Sequence, residues 1–318
     1  MPTEHTRRRF LQATGATSIA ALAGCAGGDD GAGDGTRLSW HAGGQSGTYY
    51  PLSNEFKTIV EDNTDYSLNV QTTGASVENV GSLAKGNADF ALIQNDIAYF
   101  AKNGTGIDAF QDRAVDNLAG VATLYPETIT LITRADTGIE TVADLDGATI
   151  NTGDLGSGTQ VNALQILEAA GVTDYEEQTA SFAQAAEQLR NGDIDAAFVV
   201  GGWPVGAIEE LANTNDIEIV PIEGEARDAA KEAASWFADD TIPSGTYSGI
   251  DRSIETVSVQ AMIATHDGVD EATVTAVTSA IFEHTGDLTI KPDFIDTASA
   301  QDGMSIDLHP GAAAYFES

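Results

Sequence analysis

The sequence predicts an α/β protein of two lobes. Each lobe is built on a mainly parallel sheet, and two hinge strands join them across a cleft. Three observations predict this. Strand-like and helix-like stretches alternate along most of the chain. A set of four elements then recurs in the same order. Finally, two long apolar strands, Thr128–Arg134 and Thr256–Thr265, flank the second copy. A chain that leaves the first lobe near 130 and returns near 256 has two crossings. The first lobe is therefore placed at 37–132 and 256–318, and the second at 133–255.

In the first lobe, strands are expected at Arg37–His41, Ser67–Gln71, Asp89–Ile93 and Leu118–Leu124, with helices over 51–62 and 76–85. On the second helix Val77, Val80 and Ala84 share a face. The first two strands begin 30 residues apart, as a βαβ unit requires. Between the first strand and the first helix lies Trp40-His41-Ala42-Gly43-Gly44-Gln45-Ser46-Gly47-Thr48-Tyr49-Tyr50-Pro51. Main-chain N–H groups at such a strand-to-helix turn converge without partners, and glycines let a ligand approach them. An ordinary βα connection with packed aromatics would look the same in this segment alone.

The second lobe repeats the plan. Thr149-Ile150-Asn151 is a strand, and Thr152 to Thr159 is the turn. Gln160–Ala170 is a helix carrying Val161, Leu164 and Leu167, stopped by Gly171. Ser-Gly-Thr occurs at 46–48 and again at 157–159. Leu83-x-x-Gly86-x-x-Asp89-x-Ala91 matches Leu189-x-x-Gly192-x-x-Asp195-x-Ala197. Each copy leads into an apolar strand and then a turn, Gln94-Asn95-Asp96 in one case and Gly201-Gly202-Trp203 in the other. A final helix is expected over 271–284. Ligands of such sheets bind outside the carboxyl ends of the strands, so the two sets of turns would face one another.

The chain has 318 residues, of which 42% are hydrophobic, so it can bury a core. Its 49 acidic residues against 14 basic ones give a net charge of −35, which argues against nucleic acid as a partner. So dense an acidic surface repels itself at low salt. At about 1 M salt the Debye length falls to roughly 3 Å and most of that repulsion is screened. The charge reads as adaptation to a saline solvent.

The first 24 residues read as an export signal. Thr6-Arg7-Arg8-Arg9-Phe10-Leu11 resembles the twin-arginine motif, and Ala13 to Ala23 is a weakly apolar run too short to span a bilayer. Leu22-Ala23-Gly24-Cys25 resembles a lipobox, which makes Cys25, the chain's single cysteine, a lipid anchor. A single cysteine forms no intrachain disulfide. Loss of Glu4 and three arginines with the signal would leave a charge of −37. Residues 25–36 form a Gly/Asp tether with a mean span of roughly 18 Å.

Equipment for covalent chemistry is missing from the sequence. The turn at 153–159 lacks the lysine of a phosphate loop, and the chain has neither a G-x-G-x-x-G nor a G-x-S-x-G pattern. His41, His266, His284 and His309 are far apart, without metal-ligand spacing. Asp193 and Asp195 sit at a helix-to-strand corner, where Asp serves turns. What remains is main-chain N–H, hydroxyl and amide groups, the equipment of a reversible binder. No catalytic residue, metal or cofactor is therefore assigned. A secreted enzyme on the same bilobal scaffold is the competing class, and an adhesion protein with a disused cleft a third.

Gly47-Thr48-Tyr49-Tyr50-Pro51 resembles the G-x-Y-Y-P of the TAXI family of solute receptors that serve TRAP transporters. The likeness extends through Thr73-Gly74-Ala75-Ser76-Val77-Glu78-Asn79, Gln94-x-Asp96, Leu124-Tyr125-Pro126-Glu127 and Asp144-Leu145-x-Gly147. Gly156-Ser157-Gly158-Thr159, Ile194-Asp195-Ala196 and His309-Pro310-Gly311-Ala312 complete it. Ala75 stands where the family often has Gly, and Thr48 where it often has Val. The resemblance implies a periplasmic-binding-protein type II fold that closes on a small organic acid or amino acid, glutamate-like or dicarboxylate. It also implies a polytopic TRAP permease as partner, beside a membrane reached through the lipid anchor. The receptor is expected to act as a monomer.

On this reading a ligand carboxylate rests on Ser157, Gly158 and Thr159, next to Gly156. Thr73, Ser76 and Gln94 contact the rest from the first lobe. Tyr49 and Tyr50 wall the site, and Tyr125 lies near the hinge. Gly44, Thr48, Gly74, Ala75, Asn79, Asp96, Gly201 and Gly202 complete the expected ligand-binding set. Arg134, Arg190 and Arg252 each fit either a carboxylate partner or a surface ion pair.

Overall fold

The computed structural model describes residues 36–318. The export signal over 1–24, the lipid-anchor assignment of Cys25 and the tether as far as Gly35 lie outside the described residues. Thr36, assigned to the tether, already belongs to the first strand.

The first half of the sheet is a parallel βαβαβ unit. It comprises β1 (Thr36–His41), α1 (Tyr49–Asn63), β2 (Tyr66–Gln71), α2 (Ser76–Ala84) and β3 (Phe90–Gln94), with β1 hydrogen-bonded between β2 and β3. α3 (Asn95–Asn103) follows β3 without a gap, where the sequence suggests only a turn. A buried face of Ile97, Ala98, Phe100 and Ala101 holds this short helix, and Gly104 stops it in the left-handed conformation.

β4 (Leu118–Arg134) is one 17-residue strand, not the two that the sequence separates around Pro126. The irregularity at the proline is a bulge in β4 itself: Leu124 and Tyr125 stand between Thr123, paired with Met262, and Pro126, paired with Gln260, where β10 has only Ala261. The second half then repeats the βα plan with β5 (Thr149–Asn151), α4 (Gly158–Ala169), β6 (Glu176–Gln178), α5 (Phe182–Asn191) and β7 (Ala196–Gly201). Here β5 lies in parallel between β6 and β7. α6 (Gly206–Thr214), β8 (Ile217–Val220), α7 (Gly224–Ala233) and β9 (Ala238–Ile242) complete it. β10 (Ile254–His266) runs back, and α8 (Glu271–Glu283) and α9 (Pro310–Phe316) pack on the first half.

The hydrogen-bonded order is β2-β1-β3-β10-β4-β7-β5-β6, with β8 on β4 and β9 on β10. β4 and β10 are antiparallel and belong to both halves. The start of β4 lies along the end of β10 and its end along β7 and β8, while β10 pairs first with β9 and then with β3. Apolar side chains cover both faces. In β10, Ala261 and Ile263 join the core under α1 and α8, whereas Met262 and Ala264 join the core under α2 and α3. Trp40 is fully buried, stacked on Phe90 at 5.6 Å, with its indole N–H donated to Ser53 Oγ at 2.9 Å.

The repeated Leu-x-x-Gly-x-x-Asp-x-Ala motif has a physical cause. Leu83 and Leu189 are buried at the ends of α2 and α5, and Gly86 and Gly192 take φ of +67° and +76° to release the chain from each helix. Asp89 then accepts the Ser39 N–H at 2.7 Å, and Asp195 the Thr149 N–H at 2.9 Å. Each carboxylate thus ties the strand it precedes to the first strand of its own half. The matching carbonyls are bound alike, Asp89 O by Thr265 Oγ1 and Asp195 O by Thr133 Oγ1, both at 2.7 Å. Asp89→Ala and Asp195→Ala should each lower unfolding stability by about 1.5–3 kcal/mol, the range of a hydrogen bond to a charged group. Because the sites lie in different halves, the double variant should show the sum in denaturant titrations.

Candidate functional site

The carboxyl ends of β1, β3, β5 and β7 all point to the place where β4 and β10 pass from one half to the other. Ala261 pairs with Gln94 there, and Thr128 with Gly201. The loops that leave these strands enclose a cavity of about 50 Å³. From the first half it is lined by Gly43, Gly44 and Ser46–Tyr49, by Thr73–Ser76, and by Gln94. From the second half come Asp154, Ser157–Thr159, Ser181, Phe182 and Val200, and Glu127 of β4 forms the floor. Residues at the starts of α1, α2, α4 and α5 all line it, so four helix N-termini surround one small space. Their first N–H groups have no intrahelical acceptors and carry the positive end of each helix dipole.

The structure brings together eleven of the residues expected from sequence: Gly44, Thr48, Tyr49, Thr73, Gly74, Ala75, Ser76, Gln94, Ser157, Gly158 and Thr159. The other seven lie elsewhere. Tyr50 is one residue round α1 from Tyr49 and packs on the core, because successive helical side chains diverge by about 100°. Asn79 is beneath the wall, its amide donating to Ala42 O and Leu92 O at the ends of β1 and β3. Tyr125 is buried behind the floor, and Gly156 turns the loop ahead of α4 with φ of +77°.

Asp96, Gly201 and Gly202 serve contacts between the halves instead. Asn162 Nδ2 donates to Asp96 Oδ2 at 2.7 Å, Thr48 Oγ1 to Gly202 O at 3.2 Å, and Ala207 N to Ser46 O at 3.1 Å. Gly201 passes close to Thr48, and a Cβ at Gly158 would stand 1.7 Å from Gln94 Oε1. Only glycine lets the two halves meet there. Lys291 Nζ donates to Trp203 O and sits 4.1 Å above the indole ring, joining the halves outside the cavity. The three arginines are remote from the cavity. Arg134 pairs with Asp136, Arg252 with Glu218, and Arg190 donates to Asn215.

Eight lining residues were not in the expected set, and Glu127 is the one with the most chemistry; the others are Gly43, Ser46, Gly47, Asp154, Ser181, Phe182 and Val200. Glu127 is only 3% exposed and receives the Tyr49 hydroxyl at 2.9 Å and the Tyr125 hydroxyl at 3.4 Å. Burial, with a smaller contribution from the Asp96 charge, pushes its carboxyl up to about 8 despite those hydrogen bonds. Burial also raises Asp96 to about 6, and burial and Glu78 raise Asp154. The available signal was a lone acidic residue within the apolar run of β4, next to Pro126. Ser181 carried one too, as the cap of a Ser-x-x-Gln box that starts α5. Among the described residues no Lys, Arg or His lines the cavity. Among the described residues no group of three or more His, Cys, Asp or Glu side chains is placed to hold a metal ion.

Two halves that share two strands and close their strand ends on one cavity define the periplasmic-binding-protein fold. A protein of Bordetella bronchiseptica RB50 superimposes with a TM-score of 0.52 at 16% identity, over 86% of this chain and 83% of that one. A Xanthomonas citri protein solved bound to ATP gives 0.50 at 12% identity, over 89% and 94%. The substrate-binding protein of an amino acid ABC transporter gives 0.47 at 12%, over 79% and 95%. Residues 41–318 match the NMT1-like family, and the chain belongs to it.

Two measurements test this site. Glu127 binds its proton more tightly folded than unfolded, so the folded state holds more protons between the ordinary value of 4.5 and about 8. Stability should therefore fall as pH rises through that window, by up to about 1.4 kcal/mol per pH unit. His41 and His309, lowered by burial, act in the opposite sense only below their ordinary 6.5. Lys291, lowered to about 8 by burial, acts above that value. Denaturation between pH 6.5 and 8 should thus show a falling slope that Glu127→Gln flattens. Ala75 has φ of +69° and ψ of −144°, a strained conformation for any residue but glycine. Ala75→Gly should raise stability by about 1 kcal/mol in the same assay, the released strain exceeding the lost methyl contact.

Proposed function

We propose that this protein is an extracytoplasmic solute receptor. It binds a small organic acid or amino acid reversibly between two lobes, 37–132 with 256–318 and 133–255, and delivers it to a membrane permease of the TRAP type. The observation that carries this reading is the ring of four helix N-termini around one cavity, at the strands shared by both halves. Such a ring suits a carboxylate, which gains about 0.3–1 kcal/mol from each nearby dipole besides its hydrogen bonds. Closing the halves would complete the site, because each supplies two of the four termini, and ligand would favour the closed state.

Membership of the NMT1-like family and the periplasmic-binding-protein fold support a transport role. Among the described residues no serine or threonine that lines the cavity is hydrogen-bonded to a carboxylate, histidine or lysine, which favours binding over turnover. The receptor would leave the cell by the twin-arginine route and stay tethered to the outer face of the membrane through Cys25. The TRAP partner and this location rest on the sequence motifs.

Thermal denaturation in about 2 M KCl with glutamate, glutamine, 2-oxoglutarate and succinate tests the binding role. Ligand at 100 times its dissociation constant should add about 2.7 kcal/mol of stability. Ser157→Ala with Thr159→Ala should abolish the shift, and the unliganded midpoint should fall by the about 1 kcal/mol that loss of the Ser157 cap on α4 costs. Stabilisation by no carboxylic acid would refute the acid-binding role, and turnover of a bound acid would make the protein an enzyme.

A further inference from the structure

The hydrogen bond between Asp96 and Asn162 crosses from one half to the other and leaves two buried oxygens unanswered. Asp96 stands in the first turn of α3 and is 1% exposed, and Asn162 stands on α4 and is fully buried. Asn162 Nδ2 donates to Asp96 Oδ2 at 2.7 Å. The remaining oxygens, Asp96 Oδ1 and Asn162 Oδ1, are buried too, and among the described residues neither has a hydrogen-bond partner. Both are acceptors while Asp96 is ionised. Ile97 and Val161, the chain neighbours of the pair, belong to the apolar cluster under α2 and α3, where an unanswered polar atom is costly.

One proton supplies what is missing. A carboxylic acid pairs with a primary amide by accepting N–H at one oxygen and donating O–H from the other to the amide oxygen. The first bond is present, and the second needs only the proton. Burial pushes the Asp96 carboxyl up to about 6, against the lowering effect of the Asn162 bond. The neighbouring charges do not compete for the site. Glu127 faces it from β4, and burial holds that carboxyl protonated up to about 8. β3 carries no titratable side chain. Glu78 of α2 accepts the Gly74 N–H, and Lys85 lies at the far end of that helix. On α3 itself, Tyr99 is exposed and Lys102 donates to Asp116 O and Leu118 O. Glu255 and His266 stand near the two ends of β10, the former on Arg227, and Glu168 of α4 is exposed.

We propose that Asp96 and Asn162 form a proton-operated latch: the protonated carboxyl and the amide close into a doubly hydrogen-bonded pair that holds the halves together, and loss of the proton lets them part. This rests on the receptor reading above, in which the halves open and close. In the parted form Asp96 meets water and returns toward 3.8, so between that value and about 6 closure takes up one proton from solvent. Raising the pH through this window shifts the balance toward the parted form by up to about tenfold per pH unit. The cavity is then held shut most firmly in an acid medium and opens where the proton is withdrawn.

Trp236, packed on Phe100 of the other half at 4.8 Å, reports the opening of the seam. The full chain without ligand, in about 2 M KCl, is titrated from about pH 3.5 to about pH 7, and the Trp236 emission is taken as the difference from Trp236→Phe. The emission should move to longer wavelength as the pH rises between 3.8 and about 6. Asp96→Asn, whose amide makes both hydrogen bonds without a proton, should keep the short-wavelength emission throughout. Asn162→Asp, which sets one carboxyl against another, should move the transition up by about one pH unit or more. A flat wild-type emission would overturn the latch, whether or not either variant folds. An Asp96→Asn profile that follows the wild type, or an Asn162→Asp transition that stays in place, would overturn it equally. If Asp96→Asn does not fold, Asn162→Asp carries the test. No arm uses a ligand, so failure of the latch leaves the receptor reading standing, and failure of the ligand-stabilisation assay is read separately.

Discussion

The passage of β4 and β10 from one half of the sheet to the other is the constraint on which the rest of the molecule depends. Both strands are interior, so their ladders are shared between neighbours from the two halves. β3 and β9 divide one edge of β10, while β10 and then β7 with β8 take up β4. The parallel strands on either side must therefore stop where the crossing strands change partners. Their loops, and the helices those loops begin, converge on that point. A one-residue slip at the crossing would turn Glu127 to the opposite face and replace the floor of the cavity.

Within so acidic a chain, the N-termini of four helices share one cavity with the carboxyls of Glu127 and Asp154. The surface charge is distributed over exposed side chains and is screened in a saline solvent. The helix termini act at contact distance inside a cavity, where screening is weak. What positive potential the cavity has comes from main-chain N–H groups, since among the described residues no lysine or arginine lines it. The basic side chains are used elsewhere. Arg134 and Arg252 make ion pairs on the second half, and Lys291 joins the two halves against Trp203.

Contacts between the halves around the cavity are few and polar. Asp96 with Asn162, Thr48 with Gly202 and Ser46 with Ala207 are hydrogen bonds that water can replace. Apolar clusters cover both faces of the sheet in each half, and Val161 of α4 joins the one under α2 and α3. Aromatic packing of Trp236 on Phe100, at 4.8 Å, adds an apolar contact away from the cavity.

The doubled βα plan was legible because it rests on local rules: apolar periodicity, glycine at helix ends, and Asp at two corners where a strand must be tied to its neighbour. Eleven residues that line the cavity were named in advance by these rules together with the family resemblance, which alone pointed to Thr73–Ser76. They failed where side-chain direction or a distant partner decides. Of two adjacent tyrosines only Tyr49 faces inward, and Asn79 spends its amide on Ala42 and Leu92. Asp96, Gly201 and Gly202 belong to the seam between halves. Glu127 carries no local sign of its role beyond one charge in an apolar strand. Its neighbours Tyr49, Gln94 and Asp96 come from three separate elements. The sequence by itself determined the repeated scaffold, because hydrogen bonding and burial within each βα unit are short-range. Only the tertiary structure decided which groups meet in the cavity, because that depends on how two distant segments cross.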